Sequence, residues 1–386
     1  LSMDSLLSSY EEVERGLTSL NSLQFSDLDE AFTSHFQNSF KPIKILGQGG
    51  FGCVFEAEKH VMGKLTLWRG AVKRIPMKNS DYEIECALRE VEVLLRFDHD
   101  GIVKFYDAWA EQPPAGWQRS ADAKMLDSLN SREHFKYEDD CAFLYIQMEL
   151  CQSTLAEWLA KNEERDLETI REWFRQIASA VSYIHKMNYI HRDLKPSNIL
   201  FAGPNHLKVC DLGIVTDRAI SNAEKGQEIP AERTFAKGTE MYMAPEQMGW
   251  ADYSSKVDIF ALGLILAEMI IVLPNDEDAK MEIFDNYRCG RPNSILKDFP
   301  EAESFVAWLT NVKDTERPDC TEVEFHKFAK SVQRQKDIQR AINIRRGRIR
   351  TLARGIGYTR KVNELEKKIA SLTSKETADM NESDLT

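Results

Sequence analysis

The spacing of apolar residues changes near residue 150, and this change limits the folds that the chain can adopt. Between residues 43 and 148, apolar and polar residues alternate in short runs separated by turns, a pattern typical of antiparallel strands. Beyond residue 150 apolar residues recur every three or four positions, and residues 168–186 and 259–273 predict two buried helices. The sequence therefore predicts an α+β fold, in which a small β-rich lobe with one helix over residues 82–96 precedes a larger, mainly helical lobe.

Composition divides the chain into four segments. Residues 1–40 are rich in serine and are expected to form a leader. Residues 41–150 form the predicted small lobe, interrupted by a polar stretch at 112–140 that we expect to be a surface insertion. Residues 151–332 form the predicted helical lobe, and 333–386 a tail that is basic and then acidic. Because the chain begins with leucine rather than methionine, we expect a piece of a longer protein, whose remainder could carry a membrane anchor or a sensor.

Charge and cysteine content exclude several classes of protein. The net charge of −12 argues against a general nucleic-acid binder, and no DNA partner is expected. Residues 334–361 nevertheless carry ten Lys or Arg and a single acid, which is typical of a solvated tail, although contact with RNA, acidic lipid or an acidic protein stays open. Seven scattered cysteines predict reduced thiols and a cytosolic setting. No apolar run predicts a transmembrane span.

A glycine-rich turn opens the predicted small lobe. Gly47, Gly49 and Gly52 match the pattern G-x-G-x-x-G, which is a weak signal alone because glycine turns are common. The chain continues as a strand after these glycines, so the pattern favours a hairpin whose amides cover phosphates over a dinucleotide-binding turn. Lys73 lies on the next strand and Glu90 in the following helix, where a carboxylate could hold an ammonium group against the α and β phosphates.

The segment HRDLKPSN, residues 191–198, carries the strongest chemical signal. Asp193 can accept a proton from a hydroxyl group, Lys195 can neutralise charge on a transferred phosphoryl group, and Asn198 can offer an amide oxygen to Mg²⁺. Asp211 follows thirteen residues after Asn198 at the end of an apolar strand; alone it would indicate only a turn, but here it predicts a second ligand of the same metal. Together these residues predict phosphoryl transfer that uses ATP and Mg²⁺.

These motifs resemble the eukaryotic protein kinase family over residues 43–332. The resemblance implies a bilobal kinase fold whose small lobe contains one regulatory helix. It also implies that Glu246 pairs with Arg317 and that Asp258 braces the backbone of the catalytic loop, to which Arg192 belongs. The residues that it places against ATP are Leu46, Gly47, Gly49, Gly50, Gly52, Val54, Ala71, Lys73, Glu149, Cys151 and Asp211.

Residues near the catalytic motif refine the class of kinase. Lys195, two positions after the catalytic aspartate, and Thr239 match serine/threonine kinases rather than tyrosine kinases. Thr234 lies in the segment RTFAKGT, and we expect it to be the activating phosphorylation site, with Arg192 as the partner of its phosphate. Leu212 stands where the family has phenylalanine, so we expect an active enzyme with softer control.

Longer runs, including FGCVFEA and SSKVDIFALGLILAEM, look like the kinases that phosphorylate the alpha subunit of eukaryotic translation initiation factor 2. Within this group AWAEQPPAGWQ resembles the PKR-like endoplasmic reticulum kinases (PERK), whereas RTFAKGT leans towards PKR. The resemblance implies repression of translation under stress, homodimers through the small lobe, autophosphorylation, and substrate docking on residues 278–287. A PERK-like chain would be the cytosolic part of an endoplasmic reticulum membrane protein. Two alternatives stay open: a general serine/threonine kinase with another substrate, and a nucleotide-binding pseudokinase scaffold.

Overall fold

The computed structural model describes residues 32–49, 52–61, 65–77, 91, 93–139, 141–211, 216–217, 240–248, 254–274, 276–291 and 294–329. These residues lie in one compact unit, Leu1–Ala329. Several expectations fall outside the described residues: those for most of the leader, for Gly50, Glu90, Leu212, Thr234 and Thr239, and for the tail.

The small lobe is built on an antiparallel sheet in which the strand order is β1-β2-β3-β5-β4. Its strands are β1 (Phe40–Gly49), β2 (Gly52–Val61), β3 (Leu65–Met77), β4 (Phe105–Glu111) and β5 (Ala142–Met148). The predicted alternation is therefore confirmed. Residues 91 and 93–96 are helical, as expected for the end of the helix predicted over 82–96. Because side chains alternate along a strand, Lys73 and Arg74 of β3 lie on opposite faces of the sheet.

The sheet face that carries Arg74 has its own aromatic core. The short helix α1 (His35–Ser39) is capped by the Ser34 hydroxyl, which accepts a hydrogen bond from the Gln37 amide. This helix places Phe36 5.1 Å from the ring of Tyr145, and Phe40 stacks 5.2 Å from Trp109. Burial of such rings removes large apolar areas from water. The last residues of the expected leader thus belong to the small lobe.

The stretch over residues 112–140 is more than the surface insertion that we expected. It forms a helix, α2 (Trp117–Ser128), whose inner side buries Ala121 and Asp122. Asp122 is 5% exposed and pairs with the buried guanidinium of Arg74. The expectation is wrong for this side of α2 because a polar residue can be buried where an opposite charge compensates it.

The large lobe is mainly helical. Its helices are α3 (Leu155–Lys161), α4 (Leu167–Lys186), α5 (Pro245–Met248), α6 (Lys256–Ile270), α7 (Glu277–Arg288), α8 (Pro300–Leu309) and α9 (Cys320–Phe325). The predicted helices at 168–186 and 259–273 are confirmed as α4 and α6. Gly263 of α6 lets α8 approach, since an added Cβ would lie 2.5 Å from Thr310 Cγ2. The two-lobed α+β fold is confirmed.

Short strands carry the polar residues that follow α4. A three-stranded sheet contains β6 (Ser153–Thr154), β8 (Ile199–Gly203) and β9 (His206–Val209), and β7 (Tyr189–Ile190) pairs with β10 (Thr216–Asp217). The segment HRDLKPSN therefore lies between β7 and β8. Within the part of the chain that the structure describes, no helix has the length and apolar character needed to span a membrane.

Candidate functional site

A cleft of about 290 Å³ lies between the two lobes. Val54 and Ala71 line it from the sheet, Leu200 and Val209 line it from the large lobe, and the segment that connects the lobes closes one side with Cys151. Apolar walls with a few polar groups at one end are typical of pockets that bind a small molecule or a cofactor.

Most of the expected nucleotide-binding residues meet in this cleft. It is lined by Leu46, Gly47, Val54, Ala71, Lys73, Glu149, Cys151, Asn198 and Asp211. Gly49, Gly52 and Cys53 instead line a second cavity, behind the hairpin. The Cys53 thiol faces away from the cleft, because its side chain alternates with that of Val54 and lies on the opposite face of the hairpin.

Glu149 and Cys151, two of the expected nucleotide-binding residues, do not offer a reactive side chain to a ligand. The Glu149 carboxylate is engaged elsewhere, since Oε1 lies 2.7 Å from Lys208 Nζ and accepts a hydrogen bond of 2.6 Å from the Lys104 amide. Burial raises the pKa of the Cys151 thiol to about 11, so this side chain is a neutral part of the wall. The backbone of residues 149–151 is thus what this segment offers to a ligand.

Sequence reasoning missed several wall residues, among them Met148, Leu200 and Val209. Leu200 lies two residues after Asn198, and Val209 lies two residues before Asp211. Alternation along the short strands β8 and β9 was the signal that could have found both of them.

Lys73 and Asp211 form an ion pair at the polar end of the cleft. The Lys73 Nζ atom lies 3.0 Å from Asp211 Oδ1. The positive charge of Lys73 holds the pKa of Asp211 below its ordinary value, although burial acts in the opposite direction. Asp211 has a φ of 63°, in the left-handed region that aspartate enters more readily than most residues. The structure therefore presents an ionised carboxylate next to an ammonium group.

Asp193, Lys195 and Asn198 form a second polar group. Asp193 Oδ2 lies 2.8 Å from Lys195 Nζ and accepts a hydrogen bond of 3.1 Å from Asn198 Nδ2, which also donates to the Asp193 carbonyl at 2.8 Å. Burial raises the pKa of Asp193, while the hydrogen bond from Lys195 opposes this rise. The arrangement places a proton acceptor with a raised pKa beside a cation.

The backbone around Asp193 is held by Asp258, which is 1% exposed. Its carboxylate accepts hydrogen bonds from the His191 amide at 2.9 Å and the Arg192 amide at 2.8 Å, and lies 2.7 Å from His185 Nε2. Burial opposes ionisation, but the hydrogen bonds with His185 and the His191 amide hold the pKa of Asp258 below its ordinary value. Arg192 has a φ of 71°, so Asp258 supports a strained turn next to the proton acceptor.

Two buried arginines organise the far side of the site. Arg317 donates to both carboxylate oxygens of Glu246, at 2.6 and 2.9 Å, which is the pairing that the resemblance implies. Arg288 of α7 donates from Nε to the Met243 carbonyl and from Nη2 to the Glu240 carbonyl, both at 2.9 Å. Sequence reasoning missed Arg288, because the carbonyl groups that it binds lie more than forty residues away in the sequence. It ties α7 to the backbone that leads into Glu246.

The donor set at the polar end fits a magnesium ion. Asn198 uses its amide nitrogen to bind Asp193, so its amide oxygen is the atom suited to a cation. The depressed pKa of Asp211 keeps its carboxylate ionised at neutral pH. Magnesium prefers oxygen ligands and commonly takes one or two from a protein, with phosphates and water completing the shell. Asn198 and Asp211 therefore provide oxygen ligands that fit a magnesium ion.

A protein-family model and several known proteins match most of the described chain. The protein kinase domain family model matches residues 40–329. The interferon-induced, double-stranded RNA-activated protein kinase of Rattus norvegicus is 36% identical over 292 residues, covering 75% of this chain and 51% of that protein.

Two further relatives have names that refer to an initiation factor. Eukaryotic translation initiation factor 2-alpha kinase 3 of Rattus norvegicus is 36% identical over 243 residues, covering 60% of this chain and 22% of that protein. Eukaryotic translation initiation factor 2-alpha kinase pek-1 of Caenorhabditis elegans is 26% identical over 487 aligned positions, with 78% and 45% covered. The chain spans about half or less of the length of these relatives.

Proposed function

Because this chain belongs to the protein kinase family, we propose that it transfers the γ-phosphate of ATP to a serine or threonine of the alpha subunit of translation initiation factor 2. The observation that carries the enzymatic part is the convergence of Lys73, Asn198 and Asp211 at one end of an apolar cleft, with Asp193 bonded to Asn198 beside it. The substrate is proposed from relatives named as kinases of that subunit.

The cleft orients ATP. We propose that the adenine lies between Val54 and Ala71 on one side and Leu200 on the other, where apolar walls exclude water. The backbone of residues 149–151 is the polar edge available to the base. Lys73 is the proposed ligand of the α and β phosphates, because its ammonium group lines the polar end of the cleft beside Asp211. Magnesium, when bound between Asn198 and Asp211, would neutralise charge on the phosphates.

Asp193 is the proposed proton acceptor. The substrate hydroxyl oxygen forms a bond to the γ-phosphorus as the bond from that phosphorus to the β-bridging oxygen breaks, leaving ADP. The hydroxyl proton passes to the carboxylate of Asp193, whose position is held by Asn198 and by the backbone that Asp258 supports. We propose that Lys195, at 2.8 Å from Asp193, balances the negative charge of the transferred group.

The protein substrate is proposed to dock on α7. Its exposed residues are acidic and include Glu277, Asp278, Glu282 and Asp285. Its inner side is fixed by Arg288, which binds the backbone carbonyls of Glu240 and Met243. A factor bound to α7 would therefore lie on the same rigid unit as the segment that leads to the catalytic cleft.

Regulation is proposed from the resemblance. We infer that the chain forms homodimers through the small lobe, is activated by autophosphorylation at Thr234, and represses translation under stress. The similarity to initiation factor 2-alpha kinase 3 supports a place in the PERK branch, and with it a kinase region on the cytosolic side of the endoplasmic reticulum. The similarity to the RNA-activated kinase keeps the PKR branch as the second candidate.

One experiment tests the proposal and its alternatives. Purified chain is incubated with Mg²⁺, labelled ATP and either the isolated alpha subunit or a generic basic protein, beside Lys73→Ala and Asp193→Asn variants. We expect strong labelling of the alpha subunit by the unaltered chain alone. Labelling of the generic protein but not of the subunit would indicate a general kinase. Binding of ATP without transfer to either protein would indicate a pseudokinase scaffold.

A further inference from the structure

The insertion between β4 and β5 is attached to the back of the strand that carries Lys73. Arg74, the next residue, extends from the opposite face of β3 and is only 2% exposed. Its Nη1 and Nη2 atoms donate to the two carboxylate oxygens of Asp122 at 2.7 and 2.9 Å. A bidentate pair of this kind restricts position and orientation together. The pair therefore fixes the position and orientation of helix α2 on strand β3.

Aromatic rings of the insertion enclose this ion pair. The Arg74 guanidinium lies 4.8 Å from the centre of the Phe135 ring and 5.9 Å from that of Tyr137. Asp122 also accepts hydrogen bonds from the Tyr137 hydroxyl at 2.5 Å and from Gln118 Nε2 at 2.9 Å. Two side chains of the insertion, Tyr137 and Gln118, thus hold the carboxylate that binds Arg74.

The insertion also contacts the glycine hairpin. Gln48 Nε2, between two of the glycines, donates to the His134 carbonyl at 2.7 Å, and the Phe135 ring lies 5.9 Å from that of Phe55 on β2. The hairpin in turn packs on the backbone of Arg74: a Cβ at Gly52, which has a φ of 116°, would lie 2.1 Å from the Arg74 carbonyl oxygen. Movement of Arg74 would therefore displace both Lys73 and the hairpin.

We propose that Asp122 is a positioning residue for ATP, which acts from outside the cleft by fixing β3 and the glycine hairpin in the arrangement that binds the phosphates. The inference rests on the proposed role of Lys73. It assigns to the insertion a part in nucleotide affinity, and it makes the insertion a place where binding of another molecule, or mutation, would change the affinity for ATP.

The test is calorimetric titration of the whole chain with a non-hydrolysable ATP analogue and Mg²⁺, together with steady-state kinetics. Asp122→Asn keeps the shape of the side chain but removes its charge. We expect its Kd and its KM for ATP to rise about fivefold or more, with kcat at saturating ATP within about twofold, since the groups around Asp193 are untouched. Tyr137→Phe removes one hydrogen bond to Asp122 and should raise the Kd about twofold.

Two controls separate positioning from general stability. Asp139→Asn alters an exposed ion pair with Arg119 at the end of the same insertion and should leave the Kd unchanged. Val323→Ala, in the core of the large lobe, should lower the Tm without changing the Kd. If Asp122→Asn and Val323→Ala both raise the Kd in proportion to the Tm that they lose, the proposal is overturned.

A folded Asp122→Asn chain that binds the analogue as tightly as the unaltered chain would also overturn it. If Asp122→Asn does not fold, Tyr137→Phe decides, and an unchanged Kd for that variant counts against the proposal. The Lys73→Ala variant is titrated in parallel, because tight binding by that variant would refute the proposed role of Lys73 rather than that of Asp122.

Discussion

Replacing Asp258 by asparagine should reduce both stability and turnover, because asparagine cannot accept all the hydrogen bonds that the carboxylate accepts. The native carboxylate binds the His191 and Arg192 amides and His185, and is 1% exposed. An asparagine keeps one acceptor oxygen but turns an NH₂ group towards donors, so one or two buried donors lose their partner. Each such loss costs about 1–3 kcal/mol, which predicts a loss of about 2–4 kcal/mol in the free energy of unfolding.

The pH dependence of this loss has a definite sign. The pKa of Asp258 in the folded chain lies below its ordinary value of 3.8, so its contribution is fully present above that value. The contribution decreases as pH falls through the folded pKa. The difference in stability between the native chain and Asp258→Asn should therefore be constant from neutral pH down to about pH 5 and should shrink only in stronger acid.

Turnover should fall because Asp258 supports the strained backbone beside the proton acceptor. Arg192 has a φ of 71°, and its amide donates to Asp258 Oδ1. Without this support Asp193 can shift, and a displacement of about 1 Å at reacting groups can lower a rate about a hundredfold. We expect kcat to fall at least about tenfold. Affinity for ATP should change little, since none of the residues that Asp258 binds, His185, His191 and Arg192, lines the cleft.

Thermal unfolding and phosphoryl transfer measure the two effects. A loss of this size should lower the Tm of a domain this large by about 2 °C for each kcal/mol. Glu316→Gln, which alters an exposed pair with Lys313, is the matched control and should leave both readouts unchanged. An Asp258→Asn chain with native Tm and native kcat would refute the reasoning.

Three further changes test other parts of the site. Lys195→Met should lower kcat and move its acid limb to higher pH, because Lys195 opposes the rise in the pKa of Asp193; a fixed acid limb in the pH profile would contradict this. Glu282→Lys on the exposed side of α7 should reduce labelling of the alpha subunit more than autophosphorylation, whereas Glu164→Lys, an exposed loop residue outside α7, should change neither; equal loss of both activities would remove the docking site. Thr234→Ala should lower activity while ATP binding persists, and mass spectrometry of the active enzyme should find phosphate on Thr234; full activity of the variant would exclude it as the activating site.

Local pattern in the sequence was sufficient to predict the main strands, the two long buried helices and the grouping of the proposed reactive residues. Alternation predicted the strands around the glycine hairpin, and spacings of three and four predicted α4 and α6, because one face of each strand pair and most of each helix is buried. Asp193, Lys195 and Asn198 were found because they lie within eight residues of each other in a segment with little freedom to separate them.

Tertiary structure decided the contacts made across long separations in sequence. Arg74 and Asp122 are 48 residues apart, and Arg288 lies 45 residues from Met243. Periodicity shows that a residue is buried, but it does not show which partner compensates a buried charge. A polar stretch such as residues 112–140 therefore has the composition of a solvated insertion. Only the fold, by bringing an opposite charge to it, makes burial of Asp122 favourable.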